Sequence, residues 1–523
     1  MSAESLGSRL AQALKTHGVD TIFGIPGVHN VELYRGIEQA GIRHILARHE
    51  QGAGFMADGY ARATGKPGIA FIISGPGVTN IMTPMGQAYS DSVPMLVISS
   101  CLPLGPSMPG RLHEMRDQTG AAAAVCDWSI CAEDAESAFI LIDRAFSEFE
   151  SGRARPKHIT IPIDVLGELG AMPKFKRDKA SSSNPDTNTV SKITNMLNAA
   201  KKPLFIFGGG SVGASQIANA LVEKSGAAVF TTYAGRGVVS ASYPLNFGAT
   251  LSRPDSARAI AQADLVIAVG TELAEVDLWR DKLGHRGVLV RIDIDNMVLD
   301  DLHGASVKIC ADANATLSAM TALALAAPEK WNAKEIAQTK AAFRAEADSE
   351  RPGIAPYVDA LQRVLPSDCM FYSDMTQFAY VAKELYAMEK PGHWHHPFGF
   401  GTLGYALPAA IGGKLARPNQ PVVAIAGDYG FQYTIQELGV AAEFGLNLPI
   451  VLWDNGKLKE IEDSMIQSQI APNAVVAKNP DFGKLAEAYG IGFAAPKSPE
   501  EFETEIAAAL VAKRPTLVHI GPD

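Results

Sequence analysis

The feature that most constrains this chain is a repeated unit. A short run of Val, Ile, Leu, Ala or Phe passes straight into Gly, Asp, Asn or Ser, and a helical stretch follows. Such runs are too uniformly apolar for strands with one wet face; they suit parallel strands covered by helices on both sides. Thr21–Gly24, Gly68–Ser74 and Met95–Ser99 read this way in the first part, with helices expected over Ala3–His17 and Gln51–Thr64. Pro203–Gly210, Ala227–Thr232, Leu265–Gly270 and Val288–Ile294 follow in the second part. Met370–Ser373, Val422–Ala426, Pro449–Trp453 and Thr516–Ile520 follow in the third. Strands that alternate with helices from end to end predict an α/β fold: three doubly wound domains with mainly parallel sheets.

Two charged, polar stretches interrupt the pattern, Lys174–Pro185 and the helical run from Pro328 to Pro352. They predict an N-terminal domain over 1–172, a linker over 173–188, a central domain over 189–330, a second linker over 331–354 and a C-terminal domain over 355–523. A length of 523 residues fits three domains of roughly 150 residues each. Composition enters by exclusion. A net charge of −10 leaves no basic footprint for nucleic acid. No apolar run approaches the roughly 18 residues of a membrane helix, and Met1–Leu10 lacks the apolar stretch of a signal peptide. Five cysteines without a Cys-x-x-Cys pair argue against a disulfide framework or a zinc site. The expectation is a cytoplasmic enzyme acting on a small molecule, with neither nucleic acid nor membrane as partner.

Three constellations carry candidate chemistry. Val422–Phe431 runs into Gly427-Asp428-Tyr429-Gly430, and Pro449–Lys457 runs into Asp454-Asn455-Gly456-Lys457. In a parallel sheet both strand ends share the edge where ligands bind. Asp428 and Asn455 are 27 residues apart, enough for one crossover helix. Carboxylate, amide oxygen and a nearby carbonyl suit Mg²⁺ completed by phosphates; the same residues also suit ordinary turn-forming strand ends. Arg48–Ala53 places Glu50 at a helix start after a strand, where acids are common. His396–Gly412 is a glycine-rich helix entry containing Gly401 and Leu403. In the central part, Gly208–Ser211 follows a strand without Gly-x-Gly-x-x-Gly spacing, so it is weak evidence for a nucleotide phosphate site.

Taken together, these segments resemble thiamine-diphosphate enzymes of the acetolactate synthase and 2-oxoacid decarboxylase branch. Phe23–Gly27, Ser74–Asn80 and Ser373–Gln377 also match family segments in order, so the resemblance spans the chain. It implies a pyrimidine domain, a central domain and a diphosphate domain. It implies Mg²⁺ held by Asp428, Asn455 and the Lys457 carbonyl, although Tyr429 and Asp454 depart from the usual Gly-Asp-Gly and Asn-Asn patterns. It implies that Glu50 contacts the pyrimidine ring and promotes loss of the C2 proton. Gly401 would accept from the ring amine and Leu403 would wedge between the rings. Thr376, Gln377, Gly427, Asp428, Tyr429, Gly430 and Asn455 would line the cofactor. It further implies a homodimer or homotetramer with sites at the subunit interface.

Two departures within the branch bear on the reaction. The Arg-Phe-Asp-Asp-Arg motif of FAD-binding synthases is absent where the chain reads Val269–Asp277, which counts against bound FAD. In Gly110–Gln118, His113 replaces the usual Phe-Gln-Glu context, and His29 lies in Pro26–Asn30. Histidine titrates near neutrality and suits proton transfer; either could equally be a surface or hydrogen-bonding group. The motifs most resemble those of 5-guanidino-2-oxopentanoate (2-ketoarginine) decarboxylases. A guanidinium substrate would want a carboxylate, for which Glu460 and Glu462 are candidates unless they are solvated helix acids. The expected activity is non-oxidative decarboxylation of a 2-oxo acid, including a cationic one. The alternatives are an acetolactate-synthase-type carboligase and a catalytically silent regulatory paralogue.

Overall fold

The computed structural model describes residues 4–105, 110–170, 184–323 and 331–522. Its strands form three six-stranded sheets whose pairings are all parallel. The first runs, edge to edge, Arg43–Leu46, Thr21–Gly24, Gly68–Ile72, Met95–Cys101, Lys157–Pro162, Trp128–Cys131. The second runs Asn246–Gly248, Ala228–Thr231, Pro203–Phe207, Leu265–Val269, Val288–Asp293, Val307–Cys310. The third runs Trp394–His395, Met370–Ser373, Val422–Gly427, Pro449–Trp453, Thr516–Ile520, Gly492–Ala494. This is the expected parallel α/β architecture. An additional antiparallel pair, Glu4–Ser5 with Leu169–Gly170, ties the start of the first unit to its end.

Counted in chain order, the first and third sheets share the strand order 2-1-3-4-6-5, while the second has 3-2-1-4-5-6. Each order reverses direction beside its first strand, and crevices open there at the carboxyl ends of the strands. In the two outer sheets that point lies between the first and third strands. The candidate residues gather at those two points.

The outer units meet through two helices, Glu50–Thr64 and Ala406–Ala416. Small residues let their backbones touch. A Cβ on Gly59 would stand 2.0 Å from the Ala409 carbonyl oxygen, and one on Gly412 equally close to that of Met56. Met56, Ala57 and Tyr60 share one buried core with Tyr405, Ile411 and Leu438. The charged run between the second and third sheets forms the helix Ala333–Glu350, and Trp331, Ile336 and Phe343 pack on Phe230 and Phe247 of the central unit. Of the stretch expected as a first linker, residues 173–183 lie outside the described residues. Among the described residues no helix is long and apolar enough to cross a membrane.

Candidate active site

Glu50 is the first residue of its helix, directly after His49, whose extended backbone and ring nitrogen cap the helix by accepting from the Gln51 N–H. Buried Glu437 accepts the Arg48 N–H at 3.1 and 3.2 Å, which fixes the chain where it enters that helix. The Glu50 carboxylate accepts from Asn80 Nδ2 at 2.9 Å. Asn80 belongs to the segment that follows the third strand, and the same segment reaches both candidate histidines. Ser74 Oγ lies 3.0 Å from His29 Nδ1. Gly75 has φ +65°, and a Cβ there would stand 2.6 Å from the His113 carbonyl oxygen, so the two strand-end loops touch only because that residue is glycine.

His29 and His113 meet edge to face with ring centroids 5.1 Å apart. Burial, with the neighbouring His113 and Arg111, holds His29 below the usual imidazole range. His113 has φ +59°, and its buried Nδ1 has no hydrogen-bond partner. A strained backbone and an unpartnered ring nitrogen together mark a group held for something other than packing. Gln118 braces the loop by accepting the Gly75 N–H at 3.0 Å and donating to the Ser100 carbonyl. Glu50, His29 and His113 thus form one group at the carboxyl edge of the first sheet.

The second group lies at the corresponding edge of the third sheet. Asp428 starts the short helix Asp428–Tyr433 and is only 4% exposed. Burial pushes its carboxyl above the usual range, and the nearby Asp454 charge acts in the same direction. Asn479 Nδ2 bridges the two acids, donating to Asp428 Oδ2 at 2.7 Å and Asp454 Oδ1 at 2.8 Å. Asn455 Oδ1 accepts the Lys457 N–H at 3.1 Å, a turn that draws the Asn455 amide and the Lys457 backbone together. Gln377 Oε1 accepts from Asn455 Nδ2 at 3.1 Å.

Loop Gly401–Gly404 is tied to this edge by buried Asp374, whose carboxylate accepts the Gly404 N–H at 2.8 Å and is pushed up to about 6 by burial. Leu403 reaches Gly430, and Thr376 borders Gly427. The structure therefore gathers Thr376, Gln377, Gly401, Leu403, Gly427, Asp428, Tyr429, Gly430, Asn455 and Lys457 around one strand-end crevice. No hydrogen bond among the described residues runs from this group to Glu50, His29 or His113.

The donor set fits a divalent cation on a diphosphate. Asp428 and Asp454 place two carboxylates together, and a cation would offset their repulsion. Among the described residues no three His, Cys, Asp or Glu side chains cluster as a self-sufficient metal site, so one carboxylate, one amide and a carbonyl would need phosphate oxygens to complete the shell. The central glycines fit a dinucleotide poorly. Gly209 and Gly210 border a cavity of about 740 Å³ lined by Asp91, Glu272, Asp277 and Asp293. Its arginines Arg62 and Arg153 are already paired with Asp91 and Glu272. Burial pushes Asp277 up to about 6. A diphosphate would meet acids there. The sequence reading did not single out Asn80, Gln118, Asp374, Glu437 and Asn479; all are polar residues whose partners lie far away in the chain.

Two parallel sheets of one strand order, with a third sheet between them in the chain, are the architecture of the thiamine pyrophosphate enzymes, and the chain belongs to that family. Residues 4–121 match its N-terminal TPP binding domain, 190–320 its central domain and 374–520 its C-terminal TPP binding domain. Among relatives, the chain is 42% identical to the probable 2-ketoarginine decarboxylase AruI of Pseudomonas aeruginosa, over 98% of this chain and 93% of that protein. It is 32% identical to the acetolactate synthase isozyme 2 large subunit of Escherichia coli, over 98% and 95% respectively. To the acetolactate synthase of Arthrospira platensis it is 30% identical, over 98% and 93%.

Proposed function

We propose that this enzyme carries out the Mg²⁺- and thiamine-diphosphate-dependent, non-oxidative decarboxylation of a 2-oxo acid with a cationic side chain, of which 5-guanidino-2-oxopentanoate is the model. The observation that carries the reading is the histidine pair beside Glu50. A single segment, Ser74–Asn80, touches His29, His113 and Glu50, and a decarboxylase needs a proton donor where carbon dioxide leaves. Similarity to a probable 2-ketoarginine decarboxylase supports the same reading.

Bound thiamine diphosphate supplies a nucleophilic carbon and an electron sink for the pair left when carbon dioxide departs. The protein supplies the rest. Asp428 and Asn455 side chains with the Lys457 carbonyl would hold the metal. Glu50 would hold a proton toward the pyrimidine ring, oriented by Asn80 Nδ2 at 2.9 Å. Ser74 engages His29 Nδ1 at 3.0 Å, which leaves Nε2 for proton transfer. His113, with its unpartnered Nδ1, would deliver the proton that the substrate carbon takes up. Two copies of the chain would share each site. The proposed domains are 1–172 for the pyrimidine half, 189–330 between, and 355–523 for the diphosphate half.

The test is a product assay. With thiamine diphosphate and Mg²⁺ present, the chain is offered 5-guanidino-2-oxopentanoate, pyruvate, benzoylformate and branched 2-oxo acids. One aldehyde per carbon dioxide is expected, fastest from the guanidino acid. Acetolactate as the main product from pyruvate would assign the chain to the carboligases instead.

A further inference from the structure

Glu460 and Glu462 sit in the first turn of the helix Lys459–Gln467, just past the Lys457 turn. The structure tells them apart. Glu462 faces ammonium groups, Lys457 Nζ at 3.0 Å and Lys459 Nζ at 3.8 Å. Glu460 faces a guanidinium. Arg351 grips it as a fork, with Nη2 to Oε2 at 2.9 Å and Nε to Oε1 at 3.1 Å. The same guanidinium lies over the Tyr380 ring, 5.5 Å from its centroid. Gln377 Nε2 donates to Glu460 Oε1 at 3.0 Å, and Gln377 Oε1 accepts from Asn455 Nδ2 at 3.1 Å. The carboxylate therefore stands one side chain away from a proposed metal ligand.

The carboxylate fork suits a planar cation rather than an ammonium, and the Tyr380 ring, which also has Lys383 Nζ 5.1 Å from its centroid, adds a cation-binding face. Arg351 is not committed to it. Its Nη1 donates to Glu350 Oε2 at 3.1 Å, so it keeps a carboxylate when it leaves Glu460. Both side chains of the pair are partly open to solvent, 21% for Arg351 and 39% for Glu460, so an arriving ligand can reach them.

We propose that Glu460, Gln377 and Tyr380 form the subsite that recognises the substrate's guanidinium, and that Arg351 is an internal competitor which the substrate displaces onto Glu350. This rests on the reading that the chain decarboxylates a 2-oxo acid, and adds which residue selects its side chain. The holoenzyme is assayed with 5-guanidino-2-oxopentanoate and with uncharged 2-oxohexanoate, and the ratio of the two kcat/KM values is followed. Glu460→Gln loses a charge-assisted fork, so the ratio falls about 10- to 100-fold, mainly through KM. Arg351→Gln removes a partly exposed competitor, so the ratio rises by up to about fivefold, with thiamine diphosphate and Mg²⁺ affinity unchanged. A rise cannot come from misfolding. Equal losses on both substrates in Glu460→Gln, or an unchanged or lower ratio in Arg351→Gln, would make the pair a structural brace and overturn the proposal. A wild-type enzyme that turns over neither acid would instead sink the decarboxylase reading beneath it.

Discussion

Glu50 is the proposed proton-holding residue, and its surroundings set what a substitution will do. Its carboxylate is half-buried, starts a helix and takes one hydrogen bond from Asn80 at 2.9 Å. Glu50→Gln keeps the shape and an oxygen for Asn80, so fold and cofactor retention should survive. What it loses is the acidic proton, and proton positioning of this kind is worth about 10²–10⁴-fold in rate. The expected result is a cofactor-loaded variant whose exchange of the cofactor's C2 hydrogen and whose turnover both drop by that order. His113→Ala is the contrast: C2 exchange stays normal while aldehyde release slows. Wild-type C2 exchange in Glu50→Gln would reduce Glu50 to a helix-start acid.

The same scale shows what could be read in advance. Asp428, Asn455 and Glu50 stood out through the family resemblance; taken alone, their places beside glycine or at a helix start also suit ordinary strand ends and helix acids. Asn80, Asn479 and Glu437 were not visible, because a polar residue gains meaning from a partner the fold brings in. Glu437 meets Arg48 across 389 residues. The partners of Glu460 and Glu462 were likewise beyond periodicity: both are helix-start acids in sequence, and only the structure puts a guanidinium on one and ammonium groups on the other.

At the scale of elements, two buried carboxylates hold the pieces that carry the site. Asp374 ties Gly404 to the end of its strand, and Glu437 ties Arg48 to the start of the Glu50 helix. Glu437 is fully buried, and burial pushes its carboxyl from an ordinary 4.5 up to about 7. The folded chain therefore binds this proton more tightly than the unfolded chain. Its contribution to stability is fully present below pH 4.5 and is lost as pH rises toward 7, at about 1.4 kcal/mol per pH unit. Glu437→Gln keeps an acceptor for the Arg48 N–H and removes the ionisation. The melting temperature of the variant relative to the parent should rise between pH 5 and pH 8. A pH-independent difference would show that Glu437 ionises in the fold without cost.

For the whole molecule, the decisive fact is the repeated strand order. The first and third sheets share 2-1-3-4-6-5, and each presents its chemistry at the same topological position. The alternation of strands and helices made three parallel sheets legible from sequence. Strand order was not legible, because nothing in a strand's own residues says which neighbour it pairs with. The Glu50 group and the Asp428 group sit on different sheets with no hydrogen bond between them among the described residues. In the proposed assembly Glu50 of one copy serves the metal group of another, as closed twofold assembly allows.

Mixed assemblies test that claim directly. Glu50→Gln and Asp428→Ala should each inactivate the enzyme alone, the second by losing the one charged residue among the proposed metal ligands. When the two variants are unfolded, mixed in equal amounts and reassembled, half of the dimers pair one of each. Each such dimer holds one intact site and one doubly damaged site. Decarboxylation should return to about a quarter of the parent rate, as twofold pairing requires. A mixture that assembles, retains thiamine diphosphate and recovers no activity would place both groups in one site of a single chain and contradict the account.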